Sequence, residues 1–200
     1  MLSIGYKLFA LVLLNRLKSS GAEERIWKTQ FGFKSKCGTR DALFLARRLI
    51  ERAWESKDGK LIFLALDWAK AFDSIAPDAL LTALKRFGVT SQMLSVIGAI
   101  YSNREFRVQD AGNTSGRHQQ HYGICQGCPL SPFLFVMVMT VLMHHAKQML
   151  QSNPAYAEHS QPNIEELLYA DDTLLVHSDA TIVELYIDLT VQEQRGQIMA

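Results

Sequence analysis

The sequence has only three cysteines among 200 residues and lacks a long apolar run that would mark a secretory signal or a membrane span. Few cysteines without a secretory signal predict a reducing, intracellular compartment, nucleus or cytoplasm, and not secretion. The apolar run from Leu8 to Leu14 ends at Asn15, so we interpret it as a core-facing helix. The run from Phe133 to Met143 is shorter than the roughly 20 residues that a spanning helix needs. We therefore expect no membrane partner.

Net charge is also nearly absent, because 21 Lys and Arg residues against 20 Asp and Glu residues leave +1 at pH 7. This balance favours no particular partner. The distribution is uneven, since residues 1–60 hold 13 of the basic residues and 6 of the acidic ones. A basic lobe beside an acidic one would produce this pattern, and so would ordinary surface helices with solvated charges. With 48% hydrophobic residues, the chain suits one compact domain or two tightly packed lobes.

Helical and strand patterns are mixed along the chain, and no internal repeat is present. The helical pattern covers residues 2–19, 41–56, 77–87, 90–102 and about 131–150, with a basic loop at 28–40 and a polar loop at 151–163. Strands are predicted at 61–67, at 106–108 paired with about 117–124 across the turn 111–116, and in a C-terminal hairpin. Mixed elements with antiparallel hairpins indicate an α+β fold.

Two adjacent carboxylates lie between two apolar runs near the C terminus. Residues 167–169 lead into Ala170, Asp171 and Asp172, and residues 173–176 lead out, which predicts strand, tight turn and strand. Asp tolerates turn geometry, so a structural role is one interpretation. The other is Mg²⁺ binding, since Mg²⁺ prefers carboxylate oxygens and keeps phosphates and waters as its remaining ligands. The metal hypothesis requires a carboxylate from elsewhere in the chain.

Asp67 is the candidate for that further carboxylate. The apolar run 61–66 fits a fully buried strand, and Asp67 ends it. A charge at the end of a core strand is unfavourable and needs a reason. A helix N-cap would be the simplest one, but the next helical pattern starts near Pro77, with Ser74 or Ala76 closer to its cap.

A segment rich in Gly and Pro, from Gly123 to Pro132, opens the long apolar helix. Backbone amides and polar side chains at such a helix entry can hold a phosphate, a sugar or a template strand. Gly and Pro at a junction between loop and helix also have an adequate backbone explanation. By itself the segment therefore leaves both interpretations open.

Together and in this order, the three segments resemble the palm motifs of reverse transcriptases, most closely those of non-LTR, LINE-type retrotransposons. The sequence LDWAKAFDS at 66–74 resembles the first palm motif, GICQGCPLSPFLF at 123–135 the second, and YADD at 169–172 the third. Upstream segments are similar to the family's fingers signatures: 15–17, 30–33 and 39–42. The resemblance covers nearly all of residues 1 to about 190.

The resemblance implies a polymerase-type fingers and palm fold, with an antiparallel palm sheet packed against helices and the thumb absent. Residues 1–60 would form partial fingers and residues 61–200 a palm truncated before the thumb, together one reverse transcriptase domain. The implied activity is RNA-directed DNA polymerisation from a retrotransposon-like element. Such a nucleotidyltransferase adds dNTPs to a DNA primer 3′-hydroxyl on an RNA template with two Mg²⁺ ions, for which Mn²⁺ can substitute.

The family's site residues map onto this chain by motif. Three carboxylates would be catalytic and would bind the metal ions: Asp67, Asp171 and Asp172. The residues that would contact or support the nucleotide are Phe72, Gln126, Gly127 and Tyr169. The implied template or fingers contacts are Gln30, Gly32, Phe33 and Arg40. Phe72 would exclude a ribose 2′-hydroxyl by steric clash, whereas a plain core role is the competing interpretation.

Two alternatives stay open. Val136 stands where the family usually has Asn, and the tail 192–197 lacks the expected Lys-rich run, which would suit a catalytically inactive remnant that binds nucleic acid or partners. A different alternative is a zinc-stabilised binding module, because four potential ligands lie within one short segment: His118, His121, Cys125 and Cys128.

Overall fold

The computed structural model describes residues 2–55, 57, 59–157 and 165–197. The helices in these ranges are α1 Ile4–Ser19, α2 Thr39–Glu55, α3 Pro77–Phe87, α4 Ser91–Tyr101, α5 Ser131–Gln151, α6 Pro154–Ala157 and α7 Ala180–Gln197. The strands are β1 Ile62–Leu66, β2 Glu105–Phe106, β3 Gln109–Asp110, β4 Asn113–Thr114, β5 His118–Gln119, β6 Glu165–Tyr169 and β7 Asp172–His177. The predicted helices are confirmed. The predicted polar loop at 151–163 is wrong at 154–157, which form helix α6, and residues 158–163 lie outside the described residues.

Local side chains explain where the helices begin and end. Ser3 accepts a hydrogen bond from the backbone N–H of Tyr6 at the start of α1, and Thr90 caps α4 in the same way. Helix α3 has Pro in its first turn and ends at Gly88, whose φ of 93° only glycine adopts without strain. Ala76 precedes α3 without a side-chain cap, because its methyl group has no acceptor.

The main sheet is antiparallel, with the strand order β1-β7-β6. Residues 29–31 extend it beyond β6 as a short parallel bridge, in which Leu168 donates to the Thr29 carbonyl at 2.9 Å and Phe31 donates to the Leu168 carbonyl at 2.8 Å. Strand β1 therefore lies at one edge, and its side chains are half-buried or exposed. The prediction of a fully buried strand at 61–66 is wrong, because among the described residues β7 is the one strand that pairs with β1, which leaves β1 at the edge of the sheet.

The core lies around helix α5, which packs against α3 and α7, while α7 also contacts β7. Every α5 residue from Phe133 to Met143 is buried. Within the described ranges, α5 is the one helix that is long and apolar enough, by length and composition, to cross a membrane. Because 72% of its apolar window is buried inside the structure, core packing accounts for its composition.

Two small hairpins occupy residues 105–119. Strand β2 pairs with β5, and β3 pairs with β4 inside them. The predicted pairing of 106–108 with 117–124 is thus confirmed only at Phe106 with His118, and the predicted turn is itself a second hairpin. Its two loop residues, Ala111 and Gly112, have φ of 45° and 85°, the pattern of a tight type I′ turn.

Candidate active site

The hairpin of β6 and β7 confirms the predicted strand, turn and strand. Tyr169 pairs with Asp172, so Ala170 and Asp171 form the loop. Ala170 has a φ of 59°, and Asp171 is not among the residues with positive φ. A positive φ at the first loop position alone is the pattern of a type II′ turn, in which glycine is usual at that position. Ala170 is therefore held in a conformation that its Cβ disfavours.

Asp67 lies at the same end of the sheet as this turn. The pairing of β1 with β7 ends at Leu66 opposite Thr173, so Asp67 follows directly beside Asp172. Buried Trp68 joins the two strands, because its Nε1 donates to Thr173 Oγ1 at 3.0 Å. Asp67 and Asp172 are exposed, and Asp171 is half-buried. The desolvation cost expected for Asp67 is consequently not incurred.

The three aspartates lie at this same end of the sheet, but their side chains do not converge on one point. Across the described ranges, no three His, Cys, Asp or Glu side chains are close enough together to form a metal-binding group. The donor set nevertheless fits Mg²⁺, which is usually held by one or two carboxylates together with phosphates and waters. The sheet edge thus supplies suitable oxygen ligands rather than a preformed cage.

A cleft of about 340 Å³ lies between helix α2 and this edge of the sheet. Ala42 and Leu43 of α2 line one side, while Asp67, Tyr169 and Asp172 line the other. Tyr169 is 39% exposed. A larger cavity of about 590 Å³, lined by residues of the 24–29 segment, α3 and α5, contains none of the predicted site residues. The smaller cleft is therefore the candidate active site, because predicted metal-binding and nucleotide-binding residues line it.

Hydrogen bonds connect the loop after β1 with the segment that precedes α5. The N–H of Gly123 donates to the Ile75 carbonyl at 2.9 Å, and that of Ile124 to the Phe72 carbonyl at 2.8 Å. Gln126 donates through Nε2 to Asp73 Oδ1 at 3.0 Å. These contacts hold exposed Gln126 in place beside the loop. Asp73 lies inside the first motif, but the sequence interpretation assigned it no role.

Phe72 is half-buried and stacks on Phe135 of α5, with ring centroids 4.3 Å apart and an interplanar angle of 17°. This packing agrees with the core interpretation and fixes the orientation of the ring. The ring is only half-buried, so part of it is still accessible to a nucleotide. The exclusion of a ribose 2′-hydroxyl by this ring therefore stays a prediction. Gly127 is exposed, with a φ of 77°, and a Cβ added to it would meet no atom within 4 Å.

The four predicted template or fingers residues divide into two pairs. Phe33 is 48% exposed and Arg40 is exposed near the start of α2. Gln30, in contrast, is 1% exposed, and its side chain bonds to the backbone of Ala170. Gly32 is also buried against that backbone. The burial of Gln30 and Gly32 leaves their side of the turn closed to a template, so a template contact by these two residues stays a prediction.

The alternative zinc site is not formed. His118 and His121 are exposed, whereas Cys125 and Cys128 are buried with exposed fractions of 6% and 3%. All four residues belong to the described part of the chain, and none belongs to a group that could hold a metal ion. Burial raises the pKa of the Cys125 thiol, which disfavours the thiolate that zinc needs.

A buried polar group at the other end of β6 was not predicted. Glu166 is 2% exposed, accepts from Tyr186 Oη at 2.8 Å and pairs with Lys147 Nζ at 3.1 Å. Burial raises the pKa of Glu166, although Lys147 opposes the shift. Burial and the neighbouring Glu166 also raise the pKa of Tyr186. An acidic residue within an apolar strand pattern was the available sequence signal.

The comparisons with known proteins agree on one family. Residues 1–196 match the family described as reverse transcriptase (RNA-dependent DNA polymerase). A retrovirus-related Pol polyprotein from type-1 retrotransposable element R2 of Nasonia vitripennis is 30% identical over 175 residues, covering 87% of this chain and 16% of the relative. The RNA-directed DNA polymerase from mobile element jockey of Drosophila melanogaster is 27% identical over 180 residues, covering 88% of this chain and 18% of the relative.

Another relative is the transposon TX1 uncharacterized 149 kDa protein of Xenopus laevis, 28% identical over 92% of this chain and 14% of its own length. The chain thus spans less than a fifth of these relatives. Among solved structures, telomerase from Candida albicans in complex with a TWJ fragment of telomeric RNA has a TM-score of 0.60 at 15% identity, covering 92% of this chain and 32% of that one. At this identity the likeness concerns the fold.

Proposed function

The chain belongs to the reverse transcriptase (RNA-dependent DNA polymerase) family, as the reverse transcriptase domain of a LINE-type element, and we propose that it adds dNTPs to a DNA primer on an RNA template. The observation that carries the proposal is that Asp67, Asp171 and Asp172 lie at the same end of the sheet, where Asp67 and Asp172 line an open cleft. Residues 1–60 would act as fingers and residues 61–200 as palm. The site of action would be intracellular, in nucleus or cytoplasm.

The carboxylates are the groups that would hold the divalent ions on which this family relies. Asp67 and Asp171 would be the principal ligands, with Asp172 beside them. Bound Mg²⁺ would lower the pKa of the primer 3′-hydroxyl and neutralise charge on the leaving pyrophosphate. The exposure of Asp67 and Asp172 supports this role, because both remain accessible to a triphosphate that supplies further oxygen ligands.

Other residues of the predicted site would select and orient the nucleotide. Phe72, fixed by its stack on Phe135, would oppose a ribose 2′-hydroxyl and so favour deoxynucleotides. Gln126 and Gly127 would contact the nucleotide, and the bond from Gln126 to Asp73 supports a defined position for that contact. Tyr169 would support the active-site hairpin beside the nucleotide. Phe33 and Arg40 would contact the template.

Primer extension on an RNA template with Mg²⁺ or Mn²⁺ tests the proposal. The comparison is between the parent chain, the double variant Asp171→Ala/Asp172→Ala and a control that removes two exposed acids from α7, Glu184→Ala/Asp188→Ala. We expect extension by the parent and the control and none by the Asp171/Asp172 variant. Extension by that variant would contradict the roles of the two aspartates.

A second candidate function is nucleic-acid binding without catalysis, favoured by the lack of a converged three-carboxylate group in the described ranges. The same assay separates the two. Folded parent protein that binds an RNA–DNA hybrid but extends no primer with either metal would favour this candidate and contradict polymerisation by the chain alone.

A further inference from the structure

The direction of the Asp171 carboxylate depends on Ala170, the residue directly before it in the two-residue turn. Ala170 has a φ of 59°, a conformation in which its Cβ crowds the backbone. Two-residue hairpin turns usually place glycine at this position for that reason. The turn therefore needs an interaction outside the hairpin to hold it in this conformation.

The side chain of Gln30 supplies that interaction. Its Oε1 accepts from the N–H of Ala170 at 2.9 Å, and its Nε2 donates to the Ala170 carbonyl at 3.2 Å. The same Oε1 accepts from the N–H of Gly32 at 2.8 Å. Gln30 is 1% exposed, so these bonds form away from water. A primary amide both donates and accepts, and here it bonds to both backbone polar groups of one turn residue.

The backbone on either side of Gln30 is itself anchored to β6. Leu168 donates to the Thr29 carbonyl, and Phe31 donates to the Leu168 carbonyl. A Cβ on Gly32 would lie 2.3 Å from the backbone nitrogen of Ala170, so a larger residue cannot fit there without displacing the turn. The segment 29–32 is thus pressed against the turn, and the Gln30 side chain has little freedom to leave it.

We propose that Gln30 is a positioning residue that holds the Ala170 turn and thereby orients Asp171 for metal binding. The proposal rests on the function proposed above, and because Gln30 is 1% exposed, its side chain is not available for contact with metal or substrate. It acts through the backbone of Ala170. The neutral amide matters, because a carboxylate at this place could not donate to the Ala170 carbonyl and would add negative charge beside Asp171 and Asp172.

The first test compares primer-extension rates of Gln30→Ala and Gln30→Glu with those of the parent. The controls are Gln148→Ala and Gln148→Glu at an exposed position of α5, and Ile97→Val as a mildly destabilised core variant. We expect kcat to fall by about tenfold or more in both Gln30 variants, while the controls stay within about twofold. A kcat within twofold of the parent in Gln30→Ala would overturn the proposal.

The pH dependence of Gln30→Glu distinguishes positioning from general packing. A protonated glutamic acid donates and accepts as the amide does, whereas the ionised form only accepts. The activity of Gln30→Glu relative to the parent should therefore rise as the pH is lowered from about 8 to about 6. A flat ratio across this range would count against the proposal, and Gln148→Glu should give such a flat ratio.

Amide hydrogen exchange tests the clamp even when no polymerase activity is found. Loss of Gln30 should speed exchange at the amides of Ala170 and Gly32 by about tenfold or more and weaken Mn²⁺ binding, while Leu168 and Phe31 stay protected. Equal acceleration at all four amides would indicate a merely structural role and overturn the proposal. If the parent is inactive but the selective change appears, the proposed function fails and the clamp stands. If Gln30→Ala does not fold, Gln30→Glu serves for the same measurement.

Discussion

The two ends of strand β6 are both held by buried polar side chains, but through different electrostatics. At the turn end, the neutral amide of Gln30 has both its donor and its acceptor bonded to Ala170. At the other end, the carboxyl group of Glu166 is buried with Lys147 and Tyr186 as partners, and burial raises its pKa. A bonded amide is buried at little cost, whereas a buried carboxylate loses hydration even when it is paired.

This difference suits the surroundings of each end. The turn end already carries three aspartates at one end of the sheet, where another charge would disturb the proposed metal binding. The far end faces α5 and α7, which supply Lys147 and Tyr186, and none of the predicted site residues lies there. We therefore expect changes at the turn end to affect activity and changes at the Glu166 end to affect stability.

The largest expected effect is on activity at the turn end. Asp67→Asn removes a proposed metal ligand with almost no change in size, so primer extension should fall by about 100-fold or more. The free energy of unfolding, measured with urea, should stay within about 0.5 kcal/mol of the parent because Asp67 is exposed. Asp188→Asn on α7 is the control. A loss of activity below tenfold would break the assignment of Asp67.

The next effect is on stability at the Glu166 end. Lys147→Met removes the cation and leaves the carboxyl group of Glu166 buried without it, so the free energy of unfolding should fall by about 3 kcal/mol. This value is at the low end for a broken buried pair because the Lys147 side chain is 23% exposed. Activity per folded molecule should not change. Lys85→Met, at an exposed position, should change neither the free energy of unfolding nor the activity. A loss of stability in Lys85→Met as large as in Lys147→Met would contradict the proposed difference between the two ends of β6.

The smallest effect is a pH dependence of stability from Glu166. Because its pKa is raised in the folded state, the folded protein keeps the proton longer than the unfolded chain does. This contribution to stability is complete below the ordinary carboxyl value of 4.5 and is lost as the pH rises through the raised pKa. Glu166→Gln lacks it, so the variant should gain stability relative to the parent as the pH rises over this window.

Urea unfolding at a series of pH values measures that difference. The control is Glu184→Gln, at an exposed position on α7. The difference in the free energy of unfolding between this variant and the parent should not show the pH dependence expected for Glu166→Gln. A Glu166→Gln difference that stays constant with pH would show that the buried carboxyl group does not titrate differently on folding.

Local patterns were sufficient for the elements that carry the aspartates. The apolar runs around residues 170–172 predicted the hairpin, and the run before Asp67 predicted strand β1, because strand and turn preferences act over a few residues. The burial of β1 could not be predicted in this way. The same apolar pattern occurs in strands at the edge of a sheet and in strands at its centre. Only the order of the strands in the sheet decides which position the strand takes.

The role of Gln30 lies further beyond local patterns. Gln30 and Ala170 are 140 residues apart in the chain, and nothing in either neighbourhood indicates that the amide bonds to the turn. The motif resemblance placed Gln30 among template or fingers contacts, whereas the structure buries it. The hydrogen bond between Glu166 and Tyr186 could not be predicted from local patterns either, since β6 and α7 come together only when the core forms around α5.

The family, the α+β character and the strands and turn that carry the three aspartates could all be recognised from the amino-acid sequence, because motif order, apolar runs and turn residues are properties of neighbouring residues. Only the folded chain reveals that Asp67 is exposed, that Gln30 bonds to the turn before Asp171, and that Glu166 is buried with Lys147. Exposure and long-range hydrogen bonds depend on which distant segments pack together, and that packing is set by the whole core rather than by any one motif.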